Sequence, residues 1–185
     1  MTSETLYNLI LTTAQENTAI LMIGSEGSRN DPTVTPDQYQ DFDITYFVSD
    51  DVFPTFAVFD RSRFGDMMIQ QILPEKNRWC WLMQFMDGNR LDLKIQPVSV
   101  VPDYLAEDTL NTILLDKTGH YTNLTATSDR THWVQRPTQS EFDDSITEFF
   151  WVSTYVLKGI LRGELLYANT FFESIVREEL YRLLT

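Results

Sequence analysis

The chain has 185 residues, enough for one ordinary domain or one domain and part of another, and its 43% hydrophobic content suits a buried core. A formal net charge of −13 argues against a nucleic-acid or anionic-membrane partner, because both need a cationic face to neutralise phosphate. Cys80 is the single cysteine and His120 and His132 the two histidines, which excludes a disulfide framework and a Cys/His zinc site and suits a reducing cytosol.

The opening "MTSETLYNLI" lacks the basic and apolar regions of a signal peptide, and no later run has the apolar length of a membrane span, so a soluble, cytoplasmic protein is expected. Leu6, Leu9 and Ile10 recur at helical spacing in "SETLYNLILTTAQEN", with Ser3 as the expected N-cap. "AILMIGS", Ala19 to Ser25, reads as a buried strand, and the small turn Gly27-Ser28-Arg29 follows it. After a loop holding Pro32 and Pro36 comes the strand "DFDITYFV", then an expected helix around "FGDMMIQQIL". "RWCWLMQFMDGNRLDLKIQPV" is two β-rich runs about a polar "DGN" connection, a β-hairpin. A short helix and an edge strand are expected in "DYLAEDTLNTILLDKTGHYTN". At Pro137 the composition changes. The capping-box spacing Thr138 to Glu141 opens two expected long helices with a break near Gly163. The domain expectation is therefore 1–136 and 137–185, with no internal repeat. The chain stops in apolar helix at "LYRLLT", as a fragment of a longer protein would.

Two carboxylates open the strand "DFDITYFV". Side chains alternate along a strand, so Asp41 and Asp43 point one way while Phe42, Ile44, Tyr46 and Val48 form the opposite, apolar face. Convergent carboxylates repel unless a cation sits between them, and a divalent ion with oxygen ligands is the natural candidate. In the second arm of the hairpin Leu91, Leu93 and Ile95 share one face, which leaves Asp92 on the other as a third carboxylate. The set suits phosphoryl transfer. Glycine lets backbone N–H groups approach a triphosphate, a hydroxyl and a guanidinium bind phosphate oxygens, paired carboxylates hold Mg²⁺, and a third completes the site or takes a proton from the attacking hydroxyl.

The order Gly27-Ser28, Asp41-x-Asp43, Asp92 resembles the nucleotidyltransferase superfamily that includes DNA polymerase β. Five blocks in order, "EGSR", "YQDFDITYFVSD", "FMDGNRLDLKIQP", "LLDKTG" and "RPTQSEFDDSITEFFWVSTYVLKGILRGELLYA", are similar to the aminoglycoside 6-adenylyltransferases and cover nearly the whole chain. The resemblance implies an α/β fold, a polymerase β-like mixed sheet with helices followed by the start of a helical domain. It implies transfer of AMP from Mg-ATP to a hydroxyl of an aminoglycoside, streptomycin first among them, which confers antibiotic resistance. By position, Gly27, Ser28 and Arg29 would face the triphosphate, Asp41 and Asp43 would hold metal, and Asp92 would be base or shared ligand. Lys158 would reach the triphosphate from the helical domain. Lys94 receives no role. The alternatives are a related transferase acting on another small molecule or a protein hydroxyl, and a non-catalytic nucleotide-binding module. Trp79, Trp81, Trp133 and Trp151 are expected in core packing, and His120 and His132 as structural or exposed groups. Glu141, Asp143, Asp144 and Glu148 suit either a solvated helix face or attraction of a cationic substrate.

Overall fold

The computed structural model describes residues 1–58, 60–75 and 78–184. It divides into two compact units, Met1–His132 and Trp133–Thr185.

The first unit is built on a mixed sheet with the order β3-β4-β5-β2-β1-β6, six strands among the described residues. Helix α1 is Ser3–Glu16, followed by β1 (Ile20–Glu26), β2 (Phe42–Val48), β3 (Met67–Glu75), β4 (Arg78–Phe85), β5 (Arg90–Pro97), α2 (Val101–Glu107) and β6 (Thr112–Asp116). Strands β2 and β5 run parallel and the other neighbours antiparallel. The helix α1 buries Leu6, Ile10, Thr13 and Ala14, a stripe at helical spacing, on one face of the sheet. Phe42, Ile44, Tyr46 and Val48 meet that stripe together with Leu91, Leu93 and Ile95, so the alternation expected along these two strands is the one observed. Each such fully buried aliphatic side chain contributes about 1.5–3 kcal/mol of transfer free energy. On the opposite face Met22 and Phe47 pack against Val101 and Tyr104 of α2. That helix covers only part of the face, and the carboxylates occupy the rest.

Three expectations change. The N-cap of α1 is Thr2, whose hydroxyl accepts from the Thr5 N–H at 3.1 Å, while Ser3 lies inside the helix. The segment "MMIQQIL" is not helix but the edge strand β3, paired antiparallel to β4 from Met67 opposite Phe85. Its apolar residues fit a helical stripe and a strand equally, and the open backbone edge of β4 decides between them. Trp133 and Trp151 are 59% and 62% exposed rather than core, whereas Trp81 is buried and Trp79 packs partly against the core.

The second unit begins with α3, Gln139–Arg162. Its capping box is complete: Thr138 accepts from the Glu141 N–H, and the Glu141 carboxylate accepts from the Thr138 N–H at 2.7 Å. Gly163 closes the helix in the left-handed conformation, φ 73°, which glycine adopts without the Cβ clash other residues meet. The second helical stretch then runs as α4 (Leu165–Phe171), a π-helical turn (Phe172–Val176) and α5 (Arg177–Leu184). Among the described residues no helix is long and apolar enough to cross a membrane.

Candidate active site

Sheet pairing assembles the site. The parallel register of β2 and β5 sets Asp43 directly beside Asp92, and the antiparallel register of β1 and β2 sets Glu26 directly opposite Asp43. These three acids, from three strands far apart in sequence, therefore share one patch on the sheet face away from α1. Asp41 precedes β2 by one residue and lies at the rim of the same patch.

The turn after β1 comes close to this patch. Gly27 has φ 72°, and a Cβ built there would stand 2.8 Å from the Asp43 Oδ2. Only glycine permits both that conformation and that approach. Glu26 is held by the Thr45 hydroxyl at 2.7 Å and by an ion pair with Lys94, so the lysine without an assigned role neutralises the acid beside the glycine turn. Together Glu26, Gly27, Asp43, Lys94 and Tyr104 help line a cleft of about 700 Å³.

The four carboxylates differ in their partners. Asp92 is buried and receives both forks of Arg90, Nε at 3.0 Å and Nη2 at 2.8 Å. The same Nε lies 3.3 Å from Asp41 Oδ2. Asp43 has no hydrogen bond or ion pair among the described residues. Burial pushes its carboxyl up to about 6, the neighbouring Asp92 adds to the rise, and Lys94 opposes it. The repulsion that the sequence pattern implies thus shows here as a carboxyl that gives up its proton less readily than an ordinary aspartate.

The proposed phosphate-facing residues divide. Gly27 and Ser28 form the turn beside Asp43. Arg29 turns away: its Nε donates to the Asp41 carbonyl at 2.7 Å, its Nη2 to the Gln40 carbonyl at 2.8 Å, and its guanidinium stacks 3.7 Å from the centre of the Phe42 ring. In this state it clamps the loop that delivers Asp41 to β2. Lys158 belongs to the second unit, exposed on α3 with its ammonium 4.6 Å from the Tyr155 ring centre. Within that unit a separate cavity of about 680 Å³ is lined by Glu141, Asp144, Glu148 and Glu179 among others. His132 pairs with Asp108 at 2.9 Å, a structural tie.

Oxygen-rich donors of this kind suit a hard divalent cation. As the side chains stand, no three acids among the described residues are gathered around one point, and Arg90 bridges Asp41 and Asp92. Glu26, Lys94 and Arg90 were not among the residues expected at the site. The place of Glu26 opposite Asp43 could be found only from strand register, whereas Lys94, two residues after Asp92 in one strand, shares its face. Arg90 had a local signal, since it stands two residues before Asp92 in a strand and so on the same face.

The profile of the streptomycin adenylyltransferases matches residues 1–185. The chain belongs to this family. Aminoglycoside 6-adenylyltransferases of Bacillus subtilis (strain 168) and Campylobacter jejuni are 37% and 35% identical to it, each over 97% of this chain. The one from Staphylococcus aureus is 32% identical over 100% of it. The chain spans 66%, 65% and 68% of these three relatives, about two thirds of their length. A crystal structure of an aminoglycoside 6-adenyltransferase from Bacillus subtilis, 33% identical, superposes with a TM-score of 0.50 over 97% of this chain and 64% of that one.

Proposed function

We propose that the chain carries the nucleotide- and metal-handling part of a cytoplasmic Mg-ATP-dependent aminoglycoside adenylyltransferase, with streptomycin as acceptor and antibiotic resistance as the outcome. The observation that carries this reading is the placement of Asp92 beside Asp43 across two parallel strands, with Gly27 packed against Asp43, in a chain of this family.

In the proposed reaction a hydroxyl oxygen of the acceptor attacks the α-phosphorus of ATP. The new O–P bond forms as the bond to the β-phosphate oxygen breaks, and pyrophosphate leaves. Asp41, Asp43 and Asp92 would hold Mg²⁺, which neutralises charge building on the phosphate oxygens. Asp92 takes the hydroxyl proton or serves as the shared ligand. The lack of a side chain at Gly27, whose φ is 72°, would let backbone N–H groups approach the phosphates. Ser28 and Arg29 support the phosphate loop. The overall charge of −13 favours a cationic acceptor bearing guanidinium or ammonium groups.

The direct test is incubation of the purified protein with Mg-ATP and a panel of aminoglycosides, neutral sugars and candidate protein acceptors. Streptomycin is expected to gain one adenylyl group with release of one pyrophosphate. Modification of a different acceptor would move the assignment to a related transferase, and nucleotide binding without transfer to any acceptor would make the chain a binding module. Asp92→Asn then separates its two roles. A loss of about 10² to 10⁴ in rate with Mg-ATP affinity intact marks a general base, whereas a parallel loss of affinity in titration calorimetry marks a metal ligand.

A further inference from the structure

Arg90 is the group this reading leaves without a task. It emerges from the β4–β5 turn on the same side of β5 as Asp92, so the backbone itself delivers the guanidinium to the carboxylates. One nitrogen, Nε, lies 3.0 Å from Asp92 and 3.3 Å from Asp41, and Nη2 adds a second contact to Asp92 at 2.8 Å. Among the described residues these two carboxylates are its partners in ion pairing and hydrogen bonding. The other cations of the region are committed differently: Arg29 to backbone carbonyls and the Phe42 ring, Lys94 to Glu26. The Arg90 side chain is 41% exposed and that of Asp92 11%, so the guanidinium sits on the solvent side and can swing outward without unpacking the core.

We propose that Arg90 is an internal counter-ion that occupies the metal site of the empty protein, so that a divalent cation and the guanidinium hold Asp41 and Asp92 in alternation. The inference rests on the reading of Asp41 and Asp92 as metal ligands. Its physical basis is charge. A guanidinium making a bidentate pair removes the repulsion between two neighbouring carboxylates, and a divalent ion drawn to the same oxygens would place two cations in contact range. The ion must therefore displace Arg90. A metal arriving alone leaves the freed guanidinium in water, whereas a metal arriving on a nucleoside triphosphate brings phosphate oxygens with which Arg90 can pair again. The site is thereby biased toward the metal–nucleotide complex over the free ion.

The test measures Mn²⁺ binding by electron paramagnetic resonance, with and without a non-hydrolysable ATP analogue, on the 185-residue chain and its Arg90→Gln and Arg90→Lys variants. Without nucleotide, Arg90→Gln is expected to bind free Mn²⁺ about tenfold more tightly than the parent, the size of one charge-assisted pair in a partly exposed site. Arg90→Lys keeps the charge but loses the fork, so its affinity should fall between the two. With the analogue present the advantage of Arg90→Gln should shrink or reverse. In EDTA, Arg90→Gln should melt below the parent, and added Mg²⁺ should restore more stability to it than to the parent. Equal Mn²⁺ affinity in the parent and both variants, where Asp43→Asn weakens binding, would overturn the counter-ion and leave the metal site standing. Absence of Mn²⁺ binding in all forms, with and without nucleotide, would overturn both.

Discussion

At the scale of single residues, Asp43 shows how a gathering of carboxylates is held at a cost to the fold. Its carboxyl stands at about 6 against the ordinary 3.8, with burial the main cause and Asp92 the next. The raised value means that the folded protein binds more protons than the unfolded chain between those limits. Stability should therefore fall as the pH rises through that window and level off above it. After allowance for the partial solvent access of the group, the loss amounts to about 1–2 kcal/mol. In EDTA, urea titrations at several pH values are expected to show the parent losing stability relative to Asp43→Asn as the pH rises from about 4 to about 7, since the amide does not titrate. A constant difference across that range would mean that Asp43 ionises normally. The same residue illustrates what was visible beforehand: its pairing with Asp41 is written in "DFD", but its direct neighbours Glu26 and Asp92 are set by strand register, which no local pattern specifies.

At the scale of elements, the helical unit offers two independent checks. Thr138 and Glu141 cap α3 reciprocally, so Thr138→Ala removes an N-cap acceptor and should cost about 1 kcal/mol, seen as a lower melting temperature by circular dichroism. An unchanged melting temperature would mean that the box contributes nothing to stability. Gly159 tests packing against propensity. Within a helix Ala is favoured over Gly by about 1 kcal/mol, yet a Cβ here would stand 2.9 Å from the Ala168 Cβ and 3.0 Å from the Ala168 N. The neighbour is partly backbone and cannot yield cheaply. Gly159→Ala is accordingly expected to destabilise despite the propensity gain, and a stabilised variant would show that α3 and α4 separate readily. The capping box was legible in "TQSE" because it depends on four consecutive residues. The strand identity of β3 was not, because "MMIQQIL" satisfies two periodicities and the edge of β4 made the choice.

At the scale of the whole molecule, Met1–His132 possesses its own core, with α1 on one face of the sheet and α2 on the other. Residues 1–132 expressed alone should therefore fold cooperatively, with dispersed amide resonances and a sigmoidal urea transition. A broad, non-cooperative transition would show that the sheet depends on the helical unit.

The amino-acid sequence by itself determined the elements whose signals are local: the alternation of β2 and β5, the hairpin about "DGN", the helical stripe of α1, and the capped start of α3. Its five blocks, carried by residue identity and order, sufficed to point to the family. Tertiary structure decided which groups meet. The parallel pairing of β2 with β5 put Asp43 beside Asp92, the antiparallel pairing of β1 with β2 put Glu26 opposite Asp43, and the turn geometry turned Arg29 to the loop and Arg90 to the carboxylates. The physical reason is one of range. Side-chain alternation and capping are settled by neighbours a few residues away, whereas the field at a carboxylate is settled by every charge within several ångströms, and those charges come from strands tens of residues apart.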